Sequence, residues 1–219
     1  MSSAAIQKMT WMTVCIFCLV LSGCQSAYYS TMEKFGVHKR DIMVDRVSEA
    51  RDSQEEAKEQ FASALERFNS VLDVKGGALE DKYEKVKAEL DDSEKKASEV
   101  HKRIAAVEDV SEALFAEWEE ELTQYSSATL RQSSKKQLEQ TKRQYSKLVA
   151  AMKKAEAKID PVLRPLRDQV LYLKHNLNAR AISSLQTELV NLETDVTVLI
   201  REMEASIKEA DAFIRTLEK

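Results

Sequence analysis

The most regular pattern in the chain runs from residue 79 to residue 118, with the sequence LEDKYEKVKAELDDSEKKASEVHKRIAAVEDVSEALFAEW. Apolar or small residues recur in it at alternating steps of four and three. A period of 3.5 residues sustained over more than five heptads is typical of a left-handed coiled coil. The pattern predicts one long helix from about Ala78 to Tyr125. Its seam comprises Leu79, Tyr83, Val86, Leu90, Ser93, Ala97, Val100, Ile104, Val107, Ser111, Leu114 and Trp118.

Apolar stripes at helical spacing lie on both sides of this segment. The stripe in residues 39–73 has a single polar member, Gln54, and the stripe in residues 166–217 changes phase at 176–178. A lone amphipathic helix would leave its stripe in water, so the stripes must pack on one another or on a partner chain. The first stripe comprises Met43, Val47, Ala50, Gln54, Ala57, Phe61, Leu65, Phe68 and Leu72. A second stripe comprises Leu138, Thr141, Tyr145, Leu148, Met152, Ala155 and Ile159. The third comprises Leu166, Val170, Leu173 and Leu177 and resumes from Ile182 to Leu217.

Three places interrupt the helical pattern. Gly76-Gly77 predicts a hairpin turn, because paired glycines tolerate the positive φ that ends a helix. Serine-rich residues 126–134 predict a second turn, and Asp160-Pro161 predicts an N-cap with a first-turn proline, followed by Pro165. We therefore expect an all-α fold, an elongated antiparallel bundle or coiled coil of about four long helices, over residues 38–219.

The composition agrees with this fold and excludes several functions. The chain has 219 residues but only four glycines and two prolines, and 32% of its residues are charged. A net charge of −4 argues against a dedicated nucleic-acid binder, which usually presents a basic face. Because lysines and arginines are interleaved with acidic residues along most of the chain, we interpret the charges as a solvated helix surface.

Residues 1–23 have the organisation of an export signal. An uncharged stretch from Met9 to Leu21 follows Lys8, and it is too short for a transmembrane helix, which needs about 20 apolar residues. The next residues, Leu21-Ser22-Gly23-Cys24, resemble the bacterial lipobox, and the resemblance implies cleavage before Cys24 and lipidation of its thiol. The alternatives are an ordinary cleavable signal with an incidental cysteine, or an uncleaved anchor.

Lipidation at Cys24 would fix the location of the mature chain. Cys15 and Cys18 leave with the signal, so no thiol remains for a disulfide. Acyl chains bind membrane lipid stably once two or more are present. The residue after the cysteine is Gln25 instead of an aspartate, which by resemblance favours the inner leaflet of the outer membrane, facing the periplasm.

Residues 24–37 are expected to form a tether between the lipid and the bundle. Tyr28, Tyr29 and Phe35 could rest at the lipid interface or pack onto the bundle, and the sequence leaves both open. The basic cluster His38-Lys39-Arg40 could contact anionic headgroups, although a solvated helix start explains it equally.

No constellation of catalytic, cofactor-binding or metal-ligating residues is recognisable. No glycine is followed by Lys-Ser or Lys-Thr, so a phosphate-binding P-loop is excluded and no nucleotide partner is expected. His38, His101 and His175 are far apart in sequence and lack metal-ligand spacing. The acidic residues around Trp118 (Glu117, Glu119, Glu120 and Glu121) are interpreted as a solvated face. We expect no enzyme, no cofactor and no metal.

One stretch also resembles a known family. Residues 34–47, KFGVHKRDIMVDRV, followed by Ala50-Arg51, are similar to a family of uncharacterised proteobacterial coiled-coil lipoproteins with a domain of unknown function, and the similarity extends over most of the mature chain. It implies a helical protein of the cell envelope and brings no activity or site residues.

Three functions remain to be weighed. The first is a periplasmic scaffold or adaptor that binds an envelope protein or itself through its coiled coil. The second is a membrane-active bundle resembling helical pore-formers in behaviour, which would need an apolar hairpin that the mature chain lacks. The third, an enzyme or an ATPase of the DNA-repair type, is disfavoured by the absence of a P-loop.

Overall fold

A computed structural model of the chain describes residues 28–29, 31–33, 35–73, 79–176 and 179–218. The regular elements in these residues are all helical, which confirms the predicted all-α class. Five helices follow one another: α1 (Lys39–Asp73), α2 (Leu79–Glu121), α3 (Ala128–Glu156), α4 (Ile159–His175) and α5 (Ala179–Leu217). Only Ala157 and Lys158 separate α3 from α4, so the five helices form four columns.

The columns pack as an elongated ring in which every neighbour is antiparallel. Helix α1 packs on α2 and α5, and the column of α3 and α4 packs on the same two helices from the other side. Ion pairs fix the directions. Arg51 on α1 bonds Asp211 on α5 (3.1 Å), and Glu119 on α2 bonds Lys142 on α3 (2.5 Å).

Helices α1 and α2 pack antiparallel to each other. Glu49 bonds Arg103 (2.7 Å) and Glu56 bonds Lys96 (2.6 Å), so residue numbers rise along α1 while they fall along α2. The chain therefore reverses between Asp73 and Leu79. Gly76-Gly77, the predicted turn residues, lie outside the described residues.

The second turn lies earlier than predicted. Helix α2 ends at Glu121 and Ser127 caps α3, accepting a hydrogen bond from the Leu130 amide (3.3 Å). The turn thus occupies residues 122–127, and Ser133 and Ser134 lie inside α3. Serine at a helix N-cap satisfies an amide that has no partner within the helix, which explains why Ser127 starts the helix.

The third predicted break is an interruption without a reversal. Helix α4 begins at Ile159, one residue before Asp160, and Lys158 provides no side-chain cap. Pro161 lacks the N–H that would bond the carbonyl of residue 157, and its ring crowds that carbonyl, so the break falls four residues before the proline. Both α3 and α4 run antiparallel to α2, and the chain reverses between α4 and α5 instead. The sequence had marked that region, 176–178, only as a phase change.

The apolar stripes meet in one core along the bundle. Most predicted stripe members are buried, while Tyr83, Leu65, Tyr145 and Trp118 are partly buried against it. Phe115 and Phe213 are buried although no predicted stripe contains them, because α2 and α5 each contact more than one column. The largest fully buried side chains are Phe61, Phe68, Phe213, Met43, Ile104, Leu148, Met152, Ile159, Leu166, Leu192, Leu199 and Met203.

Two polar residues are buried between α1 and α5 without a partner among the described residues. Gln54 is 0% exposed, and neither its amide oxygen nor its amide nitrogen is hydrogen-bonded to any described group. The hydroxyl of Ser206 is likewise buried and has no hydrogen bond to any described group. Gln54 is the polar member of the predicted α1 stripe, and burying an amide without hydrogen bonds costs about 1–3 kcal/mol.

Candidate interaction surfaces

The predicted lipidation residue, Cys24, lies outside the described residues, so Tyr28 and Tyr29 are the first placed residues beyond it. The Tyr29 phenol is buried and donates a hydrogen bond to Asp109 Oδ2 on α2 (2.6 Å). Burial and this hydrogen bond raise the pKa of Tyr29, so the phenol keeps its proton. Tyr28 meets the Tyr29 ring edge-on at 5.3 Å. The sequence left open whether Tyr29 rests at the lipid interface or packs onto the bundle, and in the structure Tyr29 packs onto the bundle.

Beyond Tyr29 the chain makes a tight turn into α1. Gly36 has a φ of +81°, and the Val37 and Gly36 amides bond the carbonyls of Met32 and Glu33 (3.1 and 2.9 Å). This is the Schellman arrangement, in which glycine takes the left-handed conformation at a helix end. Next to it, Phe35 is 79% exposed, so the turn presents a large apolar side chain to the outside.

Lys39 ties this turn to the bundle. Its ammonium bonds Glu33 in the N-terminal segment and Glu117 on α2, the latter at 2.7 Å. The hydrogen bond from Lys39 lowers the pKa of Glu33, whereas burial raises the pKa of Glu117. Lys39, which the sequence grouped with His38 and Arg40 as a basic cluster, is therefore an internal bridge, and only His38 and Arg40 are exposed.

Helix α3 carries a concentration of positive charge that the sequence reading missed. It holds eight lysines and arginines and two glutamates, whereas the charges elsewhere are interleaved. Five of the eight are exposed and form no ion pair with a described residue. We call them the basic face: Arg131, Lys135, Lys136, Arg143 and Lys147. The signal that could have revealed it is the local charge balance of residues 128–156, which an average over the whole chain conceals.

Three members of the basic face, Lys136, Arg143 and Lys147, point away from the core, whereas Arg131 and Lys135 lie on the flank of α3 near its start. Leu138, Leu148 and Met152 face inward, and Lys136, Arg143 and Lys147 lie on the opposite side of α3 at helical spacing. They span about 16 Å along the helix. Because the α3 column packs on α2 and α5 and lies across the ring from α1, this side is free of the described bundle contacts.

The arrangement costs the helix some stability. Arg131 and Lys135 are like charges at i,i+4, as are Arg143 and Lys147, and each such pair disfavours a helix by about 0.2–0.5 kcal/mol. The first turn of α3 contains no acidic residue to complement the helix dipole. Neighbouring Lys142, Lys153 and Lys154 do have acidic partners across the bundle. The five unpaired residues thus add no ion pair to the described part of the fold.

A cleft of about 890 Å³ lies beside the basic face at the end of the bundle. Trp118 forms part of its wall and donates its indole N–H to the Ser134 hydroxyl on α3 (2.8 Å). Of the predicted acidic cluster, Glu117 and Glu119 are engaged by Lys39 and Lys142, while Glu120 and Glu121 are exposed. The cluster is partly a set of structural ion pairs and partly the solvated face that the sequence predicted.

A second cleft, of about 620 Å³, is lined by His101, Lys153 and Glu156, among other residues. His101 on α2 bonds Glu156, the last residue of α3 (2.6 Å), on the surface and far from the other histidines. No group of three or more His, Cys, Asp or Glu in the described ranges could hold a metal ion. Of the helices in the described part of the chain, none combines the length and apolar character needed to span a bilayer.

Comparison with known proteins gives a family and no activity. No curated protein matches the chain. The model of a family described as "Protein of unknown function (DUF2959)" matches residues 28–217, which begin at Tyr28 and include all five helices. The match includes the segment 34–51 in which the sequence resembled a family of unknown function. The chain therefore belongs to the DUF2959 family of proteins of unknown function.

Proposed function

We propose that this chain is a lipid-anchored, non-catalytic adaptor of the cell envelope that binds an acidic surface of an envelope protein through the basic face of α3. The observation that carries the proposal is the basic face itself: five exposed, unpaired cations on one helix of a protein whose net charge is −4. The lipobox-like Leu21-Ser22-Gly23-Cys24 provides the anchor.

The chemistry of the basic face favours a protein partner with carboxylates. Lysine and arginine side chains bind carboxylates through charge-assisted hydrogen bonds. Three exposed glutamines, Gln132, Gln137 and Gln140, lie among the cations and offer donors and acceptors that suit a polypeptide. The glutamate in the same stretch, Glu139, would be repelled by a uniformly anionic lipid surface or polymer, whereas a protein can place a cation opposite it.

Site-specific photo-cross-linking in living cells tests the partner. A benzophenone amino acid at Gln140, in the middle of the basic face, should form an adduct with an envelope protein, and the cross-linked segment should be acidic. Reversal of three charges (Lys136→Glu, Arg143→Glu and Lys147→Glu) should reduce the adduct severalfold. The matched control reverses three exposed lysines on α2 and α5 (Lys85→Glu, Lys95→Glu and Lys208→Glu) and should leave the adduct unchanged.

Other outcomes would contradict this proposal in distinct ways. Adducts with lipid or with peptidoglycan alone would indicate that the basic face binds a membrane or a polymer instead of a protein. An adduct equally abundant in both charge-reversal variants would show that the cations do not select the partner. Turnover of ATP by the purified chain, above a mock purification, would contradict a non-catalytic role.

The anchor is tested separately. Cells grown with an alkyne-bearing fatty acid should label the parent chain, and Cys24→Ser should lose both the label and retention in the membrane fraction. Cys15→Ser with Cys18→Ser is the matched control and should keep the label, because both positions precede the expected cleavage site. Label retained on the Cys24→Ser chain would exclude the anchor.

A further inference from the structure

We propose that the bundle lies along the membrane on its α1–α2 flank, with the surface around Tyr28, Phe35 and Lys102 against the lipid, instead of standing on one end. The inference deepens the proposed function and rests on a lipid at Cys24. It concerns the orientation of the bundle, which anchoring alone does not determine.

The predicted anchor at Cys24 lies only a short distance from the bundle. Tyr28 is four positions after Cys24, with three residues between them. Even a fully extended chain spans at most about 3.6 Å per residue, so Tyr28 lies within ~14 Å of a lipidated Cys24. Tyr28 is fixed to the flank of the bundle, where it borders a cleft with Arg46 on α1 and with Lys102, Ala106 and Asp109 on α2.

Tyr28 meets α2 well away from both ends of that helix. Asp109 is 12 residues from the end of α2 at Glu121, and Lys102 is 23 residues from its start at Leu79. At 1.5 Å per residue these overhangs measure about 18 Å and ~35 Å, and the turn 122–127 extends the shorter one. Because Tyr28 is held near the lipid, an upright bundle would have to push whichever end faces the membrane below the lipid surface.

Such insertion is unfavourable because the nearer end carries exposed charges and polar groups beside its exposed Tyr125 and Leu130. Glu120, Glu121, Gln124 and Ser126 are exposed there. Placing these groups among acyl chains would leave their charges and hydrogen bonds unsatisfied. The long axis must therefore tilt until the flank approaches the lipid, and it lies closer to the membrane plane than to the membrane normal.

The side chains on this flank suit a lipid interface. Tyr28 is 43% exposed and Phe35 is 79% exposed, and aromatic rings are favoured at headgroup depth. Exposed Lys102 lines the same cleft as Tyr28 and attracts anionic headgroups. The basic face of α3 lies across the bundle from α1 and in this orientation points away from the anchoring membrane, toward partners in the periplasm.

Neutron reflectometry on a supported bilayer tests the orientation. The chain from residue 24 would be coupled through its single thiol, Cys24, to a maleimide-bearing phospholipid in bilayers of phosphatidylethanolamine and phosphatidylglycerol. A bundle on its flank, two helix layers deep, should give a protein layer of about 20–25 Å, and an upright bundle ~65 Å. A layer near 65 Å would overturn the proposal. Because the lipid is attached chemically, this result is independent of whether cells acylate Cys24, which the fatty-acid labelling decides.

Photo-cross-linking lipids identify the face. Phospholipids with a diazirine near the headgroup should label peptides that contain Tyr28, Phe35 or Lys102, and label the peptide that contains Arg143 at least severalfold less. Phe35→Ser should reduce labelling of its own peptide, whereas the matched change at the bundle end, Leu130→Ser, should leave the pattern unchanged. Equal labelling of the two flanks, or labelling centred on residues 119–130, would overturn the assignment.

Discussion

The indole nitrogen of Trp118 and the hydroxyl of Ser134 are joined by a hydrogen bond of 2.8 Å that connects α2 to α3 beside the turn between them. Trp118 is the only tryptophan from residue 24 onward, since the other is Trp11. In a chain that begins at residue 24 its fluorescence therefore reports on one place, the end of the bundle at which α2 and α3 meet.

The first prediction follows from this bond. Ser134→Ala should lower the free energy of unfolding by about 0.5–1.5 kcal/mol, because the partly buried indole N–H loses its partner. Urea denaturation of the chain from residue 24, carrying Cys24→Ala and followed by Trp118 emission, measures the change. Ser133→Ala removes an exposed hydroxyl one residue earlier and should shift stability by less than about 0.5 kcal/mol. Equal effects of the two changes would mean that the bond contributes nothing.

Replacing the buried amide of Gln54 should stabilise the bundle. Gln54→Met keeps a similar side-chain volume and removes two polar atoms that have no hydrogen-bond partner among the described residues. Relief of that desolvation penalty should raise the free energy of unfolding by about 1–3 kcal/mol. Thermal and urea denaturation measure it, with Gln137→Met on the exposed side of α3 as the control. A loss of stability in Gln54→Met would show that buried water or a partner outside the described residues satisfies the amide.

The hairpin of α1 and α2 fixes a distance across it. Spin labels at Glu49→Cys and Lys102→Cys, in a chain with Cys24→Ala, should lie within about 30 Å, because the two helix axes are roughly 8–10 Å apart at that level. A single straight helix through residues 73–79 would separate these positions by ~80 Å. Pulsed electron paramagnetic resonance distinguishes the two. A long distance would indicate that α1 and α2 pair between chains.

Acid should weaken the fold through carboxylates that accept hydrogen bonds from basic side chains, across the bundle at Glu202 and within α4 at Asp160. Hydrogen bonds from Lys154 and Arg164 lower the pKa of Glu202 and Asp160, respectively, below their ordinary values of 4.5 and 3.8. A carboxylate with a lowered pKa in the folded state stabilises the fold above its unfolded pKa, and that contribution is lost as the pH falls through the folded value. The urea midpoint should therefore decrease from pH 6 to about pH 3.

Glu202 offers the sharper version of this test, since its side chain is nearly buried between α3 and α5. Glu202→Gln should be less stable than the parent at neutral pH and should lose less stability on acidification. Glu139→Gln, which removes an exposed carboxylate without an ion pair to a described residue, should follow the parent curve. Parallel curves for all three proteins would exclude Glu202 as a source of the pH dependence.

The helical stripes were readable from sequence because burial along a helix repeats every three to four residues. The boundaries were less readable. Ser133 and Ser134 suggested a turn, yet Ser134 is held within α3 by Trp118, a contact between helices that no local pattern encodes. Pro161 marked a break correctly but acted on the carbonyl four residues before it, so α4 starts earlier than expected.

The interaction surfaces were harder to predict for a different reason. Lys39 looked like part of an exposed basic cluster, but it bonds Glu33, six residues earlier, and Glu117 on α2, which draw it into the fold. Five cations on α3 looked balanced because acidic residues abound in the chain, whereas those acids lie on other helices. Which charges are paired depends on the order of the helices around the ring, and periodicity alone does not reveal that order.

The docking of Tyr29 on Asp109 has a mechanical consequence. A force applied at the N-terminus acts on α2, through Tyr29 and Asp109, before it acts on the first turn of α1. The ion pair between Lys39 and Glu117 transmits part of the force to α2 eight residues after Asp109. The load is shared by two antiparallel helices and does not peel α1 from its end. Resistance to force depends on the rate of unfolding rather than on equilibrium stability. We therefore expect the contacts of Tyr29 and Lys39 to influence how long the protein withstands tension.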